Sequence, residues 1–277
     1  MKYKLIATDI DGTLINDNHT LGEKNVLALK KALDHGIKVV LCSGRSPSTM
    51  QQFEEQIGLL TPGNYGIGFN GSTVYDAHNR EIIAGQTIPK DKAIQIIETT
   101  KKLSDKVKLS LYTESDLLIA EDGLQDVLEQ YNQGSSSLVI NYYPEITKEH
   151  ITKDVLNIYL IQYRDILKPI YDAFSKEPIS GVTLAFTQKD LLEFMPQSMN
   201  KAQGLRALIK HLGLQMDQVV SVGDNYNDIE MIKESGFGVA VSNSVQELKN
   251  IADYVTKRDN NKDALEEVVD LVIEMNQ

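Results

Sequence analysis

The chain has very little cysteine, and its basic residues are outnumbered by acidic ones. Cys42 is the single cysteine of the 277 residues, so an intrachain disulfide and a cysteine-rich zinc site are both excluded. It follows the apolar run Val39-Val40-Leu41, which predicts a buried, inert thiol rather than a nucleophile. The formal net charge of −11 argues against nucleic acid or an anionic membrane as a partner.

Long apolar runs are also absent. No stretch is long and apolar enough to span a membrane, and the chain reaches Asp9 too early for a signal peptide. We therefore expect a cytoplasmic protein. The length and a hydrophobic content of 42% suit a globular protein with one large α/β domain or two modest ones.

The strongest local signal is a short apolar strand that ends in two carboxylates, Asp9 and Asp11. Because strand side chains alternate, these two are expected to face the same way while Ile10 enters the core. Gly12 permits a sharp turn, and Thr13 can hydrogen-bond it. Such a pair suggests a nucleophile beside an acid/base, a hard-metal site, or both. A solvated Asp-Gly turn is the simpler alternative, whereas the spacing does not fit an EF-hand calcium loop.

Apolar strands alternate with helices at both ends of the chain. Continuous apolar runs predict strands at Ile37–Cys42, Gln218–Val222 and Phe237–Val241, in addition to the first one. Such runs are typical of strands that are covered on both faces. The fold class predicted is therefore α/β, with a doubly wound parallel sheet.

Three helix starts are predicted from side chains that can cap a helix. Thr20 with Glu23 and Ser244 with Glu247 have the spacing of capping boxes. Ser46, which is followed by proline, predicts a third start.

The middle of the chain reads as an inserted α+β domain with a sheet of its own. We predict this domain over residues 88–195, and a core domain formed by residues 1–87 and 196–277. The strands predicted in the insertion are Val107–Tyr112, Leu117–Ala120, Val155–Gln162, Val182–Thr187 and Leu191–Met195. The helices are predicted over residues 91–103, 123–131 and 166–174, with a flexible loop at residues 134–137.

Polar motifs follow the core strands where these end. Ser43-Gly44-Arg45 follows the second strand, and Gly223-Asp224-x-x-Asn227-Asp228 follows a strand near the carboxyl terminus. Ligands of doubly wound sheets bind beyond such strand ends. Lys201 opens a helix where the chain returns to the core and could supply a fixed cation for phosphate. By itself, such a lysine is more often a solvated surface residue.

In this order, the motifs of Asp9 and Asp11, of Ser43, of Lys201 and of Asp224 resemble the four motifs of the haloacid dehalogenase superfamily. The insertion resembles the cap of its Cof-type branch, the type IIB cap. The resemblance spans essentially the whole chain. One departure is Ala202, since that branch commonly has glycine after the lysine.

The resemblance implies Mg²⁺-dependent phosphoryl transfer through an aspartyl-phosphate. Asp9 would be the nucleophile, Asp11 the acid/base, and Lys201 the group that neutralises developing charge. The residues implied for phosphate are Ile10, Ser43, Gly44, Lys201 and Asn227. Those implied for the metal are Asp9, Asp11 through its main-chain carbonyl, and Asp224, with Asn227 and Asp228 supporting them from outside.

The function expected is that of a phosphatase of small phosphomonoesters, namely sugar phosphates, nucleotides or cofactor phosphates. A cap of this size should act as a lid and exclude folded phosphoproteins. A phosphosugar mutase on the same core is an alternative, and a phospho-accepting signalling protein is a less favoured one. Gly66-x-Gly68-x-x-Gly71 fits a dinucleotide fingerprint, but residues 72–75 predict a strand where that motif needs a helix, so NAD is not expected.

Overall fold

A computed structural model describes residues 1–113, 116–120 and 139–277 of the protein. It divides into two compact units, one formed by Met1–Gly85 with Asn200–Gln277 and the other by Gln86–Met199. The chain thus leaves the first unit once and returns to it once. The assignment of these units as a catalytic core and a cap stays a prediction. Within the described residues, no helix is both long and apolar enough to cross a membrane.

The first unit is built on an eight-stranded sheet in the order β14-β13-β12-β1-β2-β3-β4-β5. Numbered along the whole chain, its strands are β1 (Leu5–Thr8), β2 (Lys38–Cys42), β3 (Tyr65–Gly68), β4 (Thr73–Asp76), β5 (Ile82–Gly85), β12 (Val219–Gly223), β13 (Phe237–Ala240) and β14 (Tyr254–Val255). The pairs from β14 to β3 are parallel, whereas β4 and β5 add an antiparallel edge. The predicted parallel sheet is confirmed, and β4 overlaps residues 72–75, where a strand was predicted, whereas β3, β5 and β14 were not predicted.

Helices cover both faces of this sheet. They span Glu23–Asp34, Pro47–Ile57, Lys201–Leu212, Ile229–Glu234, Gln246–Lys249 and Ala264–Met275. In β1, Ile6 packs into the cluster that contains Leu29 and Val268, while Leu5 packs on the opposite face with Leu205. This two-sided burial explains why the core strands are continuous apolar runs. Burying one such side chain contributes about 1.5–3 kcal/mol.

The single cysteine lies inside this core. Cys42 is the last residue of β2 and is fully buried. Burial raises the pKa of its thiol, with Asp228 and Asp9 adding to the effect while Lys201 opposes it. The predicted buried and inert thiol is consistent with this position.

Two of the three predicted helix starts are wrong. The helix Glu23–Asp34 begins after Gly22, because the Thr20 hydroxyl is engaged by Asn16 instead, with Nδ2 to Oγ1 at 2.7 Å. The helix Gln246–Lys249 begins after Val245, and the Ser244 hydroxyl donates to another strand end. The side chain that local spacing assigned to the helix is taken in the first case by a neighbour four residues earlier and in the second case by a distant strand end. Ser46 does cap the helix Pro47–Ile57.

The second unit is a six-stranded sheet in the order β10-β11-β9-β6-β7-β8. Its strands are β6 (Lys108–Tyr112), β7 (Asp116–Ala120), β8 (Val139–Tyr143), β9 (Asn157–Ile161), β10 (Val182–Gln188) and β11 (Leu191–Pro196), and its helices are Lys90–Leu103 and Arg164–Lys176. All pairs are antiparallel except β7 with β8. The sheet was predicted apart from β8. The predicted helix 123–131 and loop 134–137 lie outside the described residues.

The glycine-rich segment of residues 66–71 is a strand and a tight turn. β3 and β4 are antiparallel neighbours joined through the short 3-10 turn Phe69–Gly71. The glycine motif is therefore followed by a strand and not by the α-helix that a dinucleotide-binding motif needs. Gly71 has φ of +96°, and a Cβ there would lie 1.9 Å from the carbonyl oxygen of Asn200. Glycine is needed here because the turn packs directly on the residue before Lys201.

Gly71→Ala should therefore destabilise the protein much more than Gly213→Ala. Gly213 also has a positive φ, +66°, but a Cβ there would meet nothing within 4 Å. Its replacement should cost about 1–2 kcal/mol from backbone strain alone. At Gly71 the carbonyl of Asn200 must also move, so the loss should be several times larger. Urea unfolding measures both, and equal losses would contradict the role given to this contact.

Candidate active site

Three neighbouring strands at the centre of the first sheet end at the same level. β1 pairs with β12 and with β2 so that Thr8 is level with both Val222 and Leu41. The residues that follow these strands are consequently brought to one edge of the sheet. The predicted site residues at this edge are Asp9, Ser43 and Asp224.

The ammonium group of Lys201 lies between two carboxylates. Its helix begins at this residue, after Asn200 caps the N–H of Gln203 at 2.9 Å. Lys201 Nζ is 2.6 Å from Asp9 Oδ1 and 2.6 Å from Asp228 Oδ1. Its side chain is 0% exposed, so Lys201 is a buried cation and not a solvated surface residue.

Burial and charge act against each other in this group. Burial lowers the pKa of Lys201, but Asp228 and Asp9 outweigh it, and the resulting pKa is well above the usual lysine range. Burial raises the pKa of Asp9 well above its usual value, although Lys201 opposes the rise. Lys201 therefore stays charged, and burial disfavours the ionised form of Asp9.

Asp228 connects Lys201 to the turn that follows β12. Its Oδ2 accepts the backbone N–H groups of Asp224 at 3.0 Å and Asn225 at 3.1 Å, while its Oδ1 accepts from Lys201. Asp228 is fully buried, as a carboxylate can be when each oxygen has a donor. It thereby fixes the backbone that carries Asp224.

Asp224 is held against the turn that follows Asp9. Thr13 Oγ1 donates to its Oδ1 at 2.9 Å. Gly12 has φ of +77°, and a Cβ there would lie 2.5 Å from Asp224 Oδ2, so only glycine lets the carboxylate approach so closely. Burial raises the pKa of Asp224, while the hydrogen bond from Thr13 opposes the rise.

The loop after β13 supports both of these turns. Asn243 Nδ2 donates to the carbonyl oxygen of Gly12 at 2.7 Å. The Ser244 hydroxyl donates to the carbonyl of Gly223 at 3.1 Å, and the N–H of Val245 donates to the carbonyl of Asp224 at 2.9 Å. One short loop thus holds the turn that contains Gly12 and the turn that contains Asp224 in a fixed relative position.

Three of the carboxylates are close enough to hold a metal ion. Asp9, Asp224 and Asp228 each offer one oxygen, and these oxygens lie within 4.8 Å of one another. Three carboxylates face one ammonium group, so a divalent cation would bring the local charge close to neutral. Carboxylate oxygens are the donors that hard divalent cations prefer, so the donor set fits such an ion. This cluster consists of side-chain oxygens alone and includes the carboxylate of Asp228, which the sequence analysis placed outside the metal ligands. The assignment of Asp11 to the metal through its main-chain carbonyl stays a prediction.

Asp11 takes a different partner from Asp9. Its carboxylate accepts two hydrogen bonds from Arg45, Nε to Oδ2 at 2.8 Å and Nη2 to Oδ1 at 2.7 Å. Asp11 is exposed whereas Asp9 is buried, and Ile10 between them is buried in the core, as predicted. β1 ends at Thr8, so the strand alternation from which a shared direction was predicted for the two acids does not extend to them. The two acids of the first motif therefore lie in different environments.

The motif after β2 meets the motif after β12 through Asn70. Asn70 donates its N–H to the carbonyl of Ser43 at 3.0 Å and accepts from Asn227 Nδ2 at 3.0 Å. A Cβ on Gly44 would lie 3.0 Å from the Asn70 amide nitrogen. The buried Ser43 hydroxyl accepts the N–H of Arg45 at 3.2 Å. Ser43, Gly44 and Asn227 are thus joined at the same edge of the sheet.

Comparison with known proteins identifies the family. The family described as haloacid dehalogenase-like hydrolase matches residues 6–269. The chain belongs to this family. The Bacillus subtilis protein YxeH is 28% identical over 275 residues, which cover 98% of this chain and 99% of that protein. Pyridoxal phosphate phosphatase YbhA of Escherichia coli is 26% identical over 275 residues, which cover 97% and 98%.

A solved structure of a haloacid dehalogenase-like hydrolase from Bacteroides thetaiotaomicron has the same fold. It matches with a TM-score of 0.88 at 24% identity and covers 98% of this chain and 100% of that one. The fold class and the family that the motifs predicted are both confirmed.

Sequence reasoning missed several residues of this haloacid dehalogenase-like hydrolase. Arg45 was part of a quoted motif but received no role, and Asn243 was not singled out. For Arg45 the available signal is its place two residues after Ser43, at the end of a strand next to the one that leads into Asp9 and Asp11. An arginine in that place is able to pair with one of the two acids. For Asn243 the available signal is its place directly after a predicted parallel strand.

Lys201→Met should destabilise the protein strongly near neutral pH and less at acidic pH. The change leaves Asp9 and Asp228 buried without their cation, at a cost of about 3–5 kcal/mol. The pKa of Asp9 is raised in the folded state, so folded Asp9 binds its proton more tightly than unfolded Asp9 does. Protonation at low pH therefore relieves the unpaired charge.

Urea unfolding at pH 5 and pH 8 in EDTA measures this difference between wild type and variant. Lys210→Met, at an exposed position of the same helix, is the matched control and should change little at either pH. A deficit of the same size at both pH values would contradict the assignment.

Proposed function

We propose that this haloacid dehalogenase-like hydrolase is a Mg²⁺-dependent phosphatase of small phosphomonoesters. The observation that carries the proposal is the buried Lys201 between Asp9 and Asp228, with Asp224 beside them. A fixed cation next to oxygen ligands for a second cation suits the charge that develops on a transferred phosphoryl group. The relative YbhA, named as a pyridoxal phosphate phosphatase, supports a small phosphorylated metabolite as the substrate.

Asp9 and Asp224 would hold the metal ion, together with the main-chain carbonyl of Asp11. Asp228 is less available, because its Oδ2 already accepts two N–H groups and its Oδ1 accepts from Lys201. It is better suited to positioning Asp224 and Lys201. Bound Mg²⁺ would neutralise charge on the phosphate oxygens and on the Asp9 carboxylate.

In the first half of the reaction, an Asp9 carboxylate oxygen attacks phosphorus. A bond forms between that oxygen and phosphorus, and the bond from phosphorus to the leaving oxygen breaks. Asp11 gives a proton to the leaving oxygen, so the product departs as a neutral alcohol. Lys201, beside Asp9, neutralises negative charge as the aspartyl-phosphate forms.

In the second half, water hydrolyses the aspartyl-phosphate. Asp11, now a carboxylate, accepts a proton from the water whose oxygen bonds to phosphorus. The bond between phosphorus and the Asp9 oxygen breaks, which releases inorganic phosphate and restores both acids. One residue thus serves as proton donor and then as proton acceptor.

We propose that the phosphate oxygens bind at the edge formed by the first, second and fourth motifs. The Ser43 hydroxyl, the Gly44 N–H and the Asn227 amide would donate to them. Ile10 can contribute only through its main-chain N–H, because its side chain is buried in the core. Donors of this kind fix the phosphorus in line with Asp9.

The second unit, Gln86–Met199, is proposed to act as the cap and to select the substrate. Its six-stranded sheet and two helices, within the described residues, form a core separate from that of the first unit. Sugar phosphates, nucleotides and cofactor phosphates are the candidate substrates. A panel of phosphorylated metabolites scored by kcat/KM ranks them, and phosphopeptides that outrank every metabolite would contradict this choice.

Release of inorganic phosphate from p-nitrophenyl phosphate tests the reaction. We expect turnover with Mg²⁺ and its loss in EDTA, because Asp9 would otherwise repel the phosphate dianion. Equal rates in both conditions would exclude the metal role. Transfer of the phosphoryl group to a sugar hydroxyl without net release would indicate a mutase instead.

Asp9→Asn and Asp11→Asn should fail in different ways. Asp9→Asn removes the nucleophile, so turnover should fall by roughly a thousandfold or more, with no phosphorylated protein formed. Asp11→Asn removes the proton donor and acceptor, so turnover should fall by about 10²–10⁴-fold while phosphorylated protein can still accumulate. Exposed Asp34→Asn is the control. Near-normal turnover of Asp9→Asn would overturn the assignment of the nucleophile.

A further inference from the structure

Arg45 and Asp11 form a two-point ion pair that the reaction described above does not use. Arg45 Nε and Nη2 each donate to a different oxygen of the Asp11 carboxylate, at 2.8 and 2.7 Å. A planar guanidinium that engages both oxygens fixes the plane of the carboxylate as well as its position. A lysine could supply the charge but not this orientation.

The backbone of Arg45 is held by contacts that do not involve Asp11. Its N–H donates to the Ser43 hydroxyl at 3.2 Å, and its carbonyl accepts the N–H of Phe69 at 2.9 Å. Its guanidinium carbon also lies 5.4 Å from the ring centre of Phe53, which is buried. The side chain of Arg45 therefore extends from a fixed main chain across the ring of Phe53.

The backbone on the other side of the pair is fixed as well. The carbonyl of Ile10, directly before Asp11, accepts the N–H groups of Leu14 at 2.9 Å and Ile15 at 3.0 Å. The backbone of Asp11 also forms an isolated β-bridge with that of Ile15. The main chains of Arg45 and Asp11 are thus both held in place. The guanidinium then fixes the rotation of the Asp11 side chain.

Exposure indicates that the pair serves orientation more than stability. The Asp11 side chain is 47% exposed and that of Arg45 is 18% exposed. Water screens such a pair, so it contributes little to the free energy of unfolding. The guanidinium takes one acceptor position on each carboxylate oxygen, and each oxygen has a second lone pair.

We propose that Arg45 is a positioning residue that orients Asp11 for proton transfer to the leaving oxygen. This inference rests on the proposed function, since it assigns Arg45 a role in the first half of that reaction. Esters whose leaving groups need a proton should depend on Arg45, and esters whose leaving groups depart as stable anions should depend on it much less.

Two substrates separate these cases. p-Nitrophenolate leaves without a proton, whereas phenolate is a much poorer leaving group and benefits from proton donation. Arg45→Met keeps an apolar stem over Phe53, and Arg45→Lys keeps the charge without the planar fork. We expect kcat/KM to fall about tenfold further on phenyl phosphate than on p-nitrophenyl phosphate for both variants, chiefly through kcat. Asp11→Asn should show the same preference in stronger form.

A double-mutant cycle completes the test. If Arg45 acts through Asp11, Arg45→Met should cause no further loss in the Asp11→Asn background. Arg206→Met is the matched control, because Arg206 pairs with Glu234 and its replacement should leave both substrates unaffected. Should Arg45→Met fail to fold, the cycle is run with Arg45→Lys.

Three results would overturn the inference. These are equal losses of Arg45→Met on both esters, a full additional loss in the Asp11→Asn background, or a rise in KM alone, which would indicate direct substrate binding. Failure of the proposed function looks different, because the wild type would then release no phosphate from either ester. If the wild type is active and Asp11→Asn shows no leaving-group preference, the role of Asp11 itself is wrong, and with it that of Arg45.

Discussion

The site depends on one buried charge. The ammonium of Lys201 has no exposure to solvent, and an isolated ion in that position would be prohibitively costly. It is tolerated because Asp9 and Asp228 lie 2.6 Å away on separate segments. The carboxyl ends of β1 and β12 and the start of the helix Lys201–Leu212 must therefore meet, and the parallel sheet provides the scaffold that lets them do so.

The same charge determines what else the site needs. Lys201 neutralises one carboxylate, whereas Asp9, Asp224 and Asp228 together contribute three. Burial raises the pKa of both Asp9 and Asp224, because it disfavours their ionised forms. A bound cation would supply the missing compensation. An excess of carboxylates would destabilise a purely structural core. It suits a site for which we propose a metal ion and a phosphate as ligands.

The parts that could be predicted from sequence are those that local pattern determines. β1, β2, β12 and β13 are continuous apolar runs because both faces are covered, and their ends locate the site. β3 has two glycines and β14 has two residues, so neither carries a periodic signal. The predicted caps at Thr20 and Ser244 were wrong because the Thr20 hydroxyl pairs with Asn16, four residues earlier, and the Ser244 hydroxyl donates to the distant carbonyl of Gly223. The pairing of Asp11 with Arg45 joins residues 34 positions apart, which spacing alone cannot indicate.

The first motif illustrates how two residues of one type, separated by a single position, come to differ. Ile10 commits its side chain to the core, and the tight turn that follows carries Asp11 out to solvent while Asp9 remains inside. Asp9 is thereby placed beside a fixed cation and away from water, which suits the role of nucleophile that we propose for it. The carboxylate of Asp11 is open to solvent, which suits the proton-transfer role that we propose for it. The separate roles that we propose for Asp9 and Asp11 rest on this difference in environment more than on the two side chains themselves.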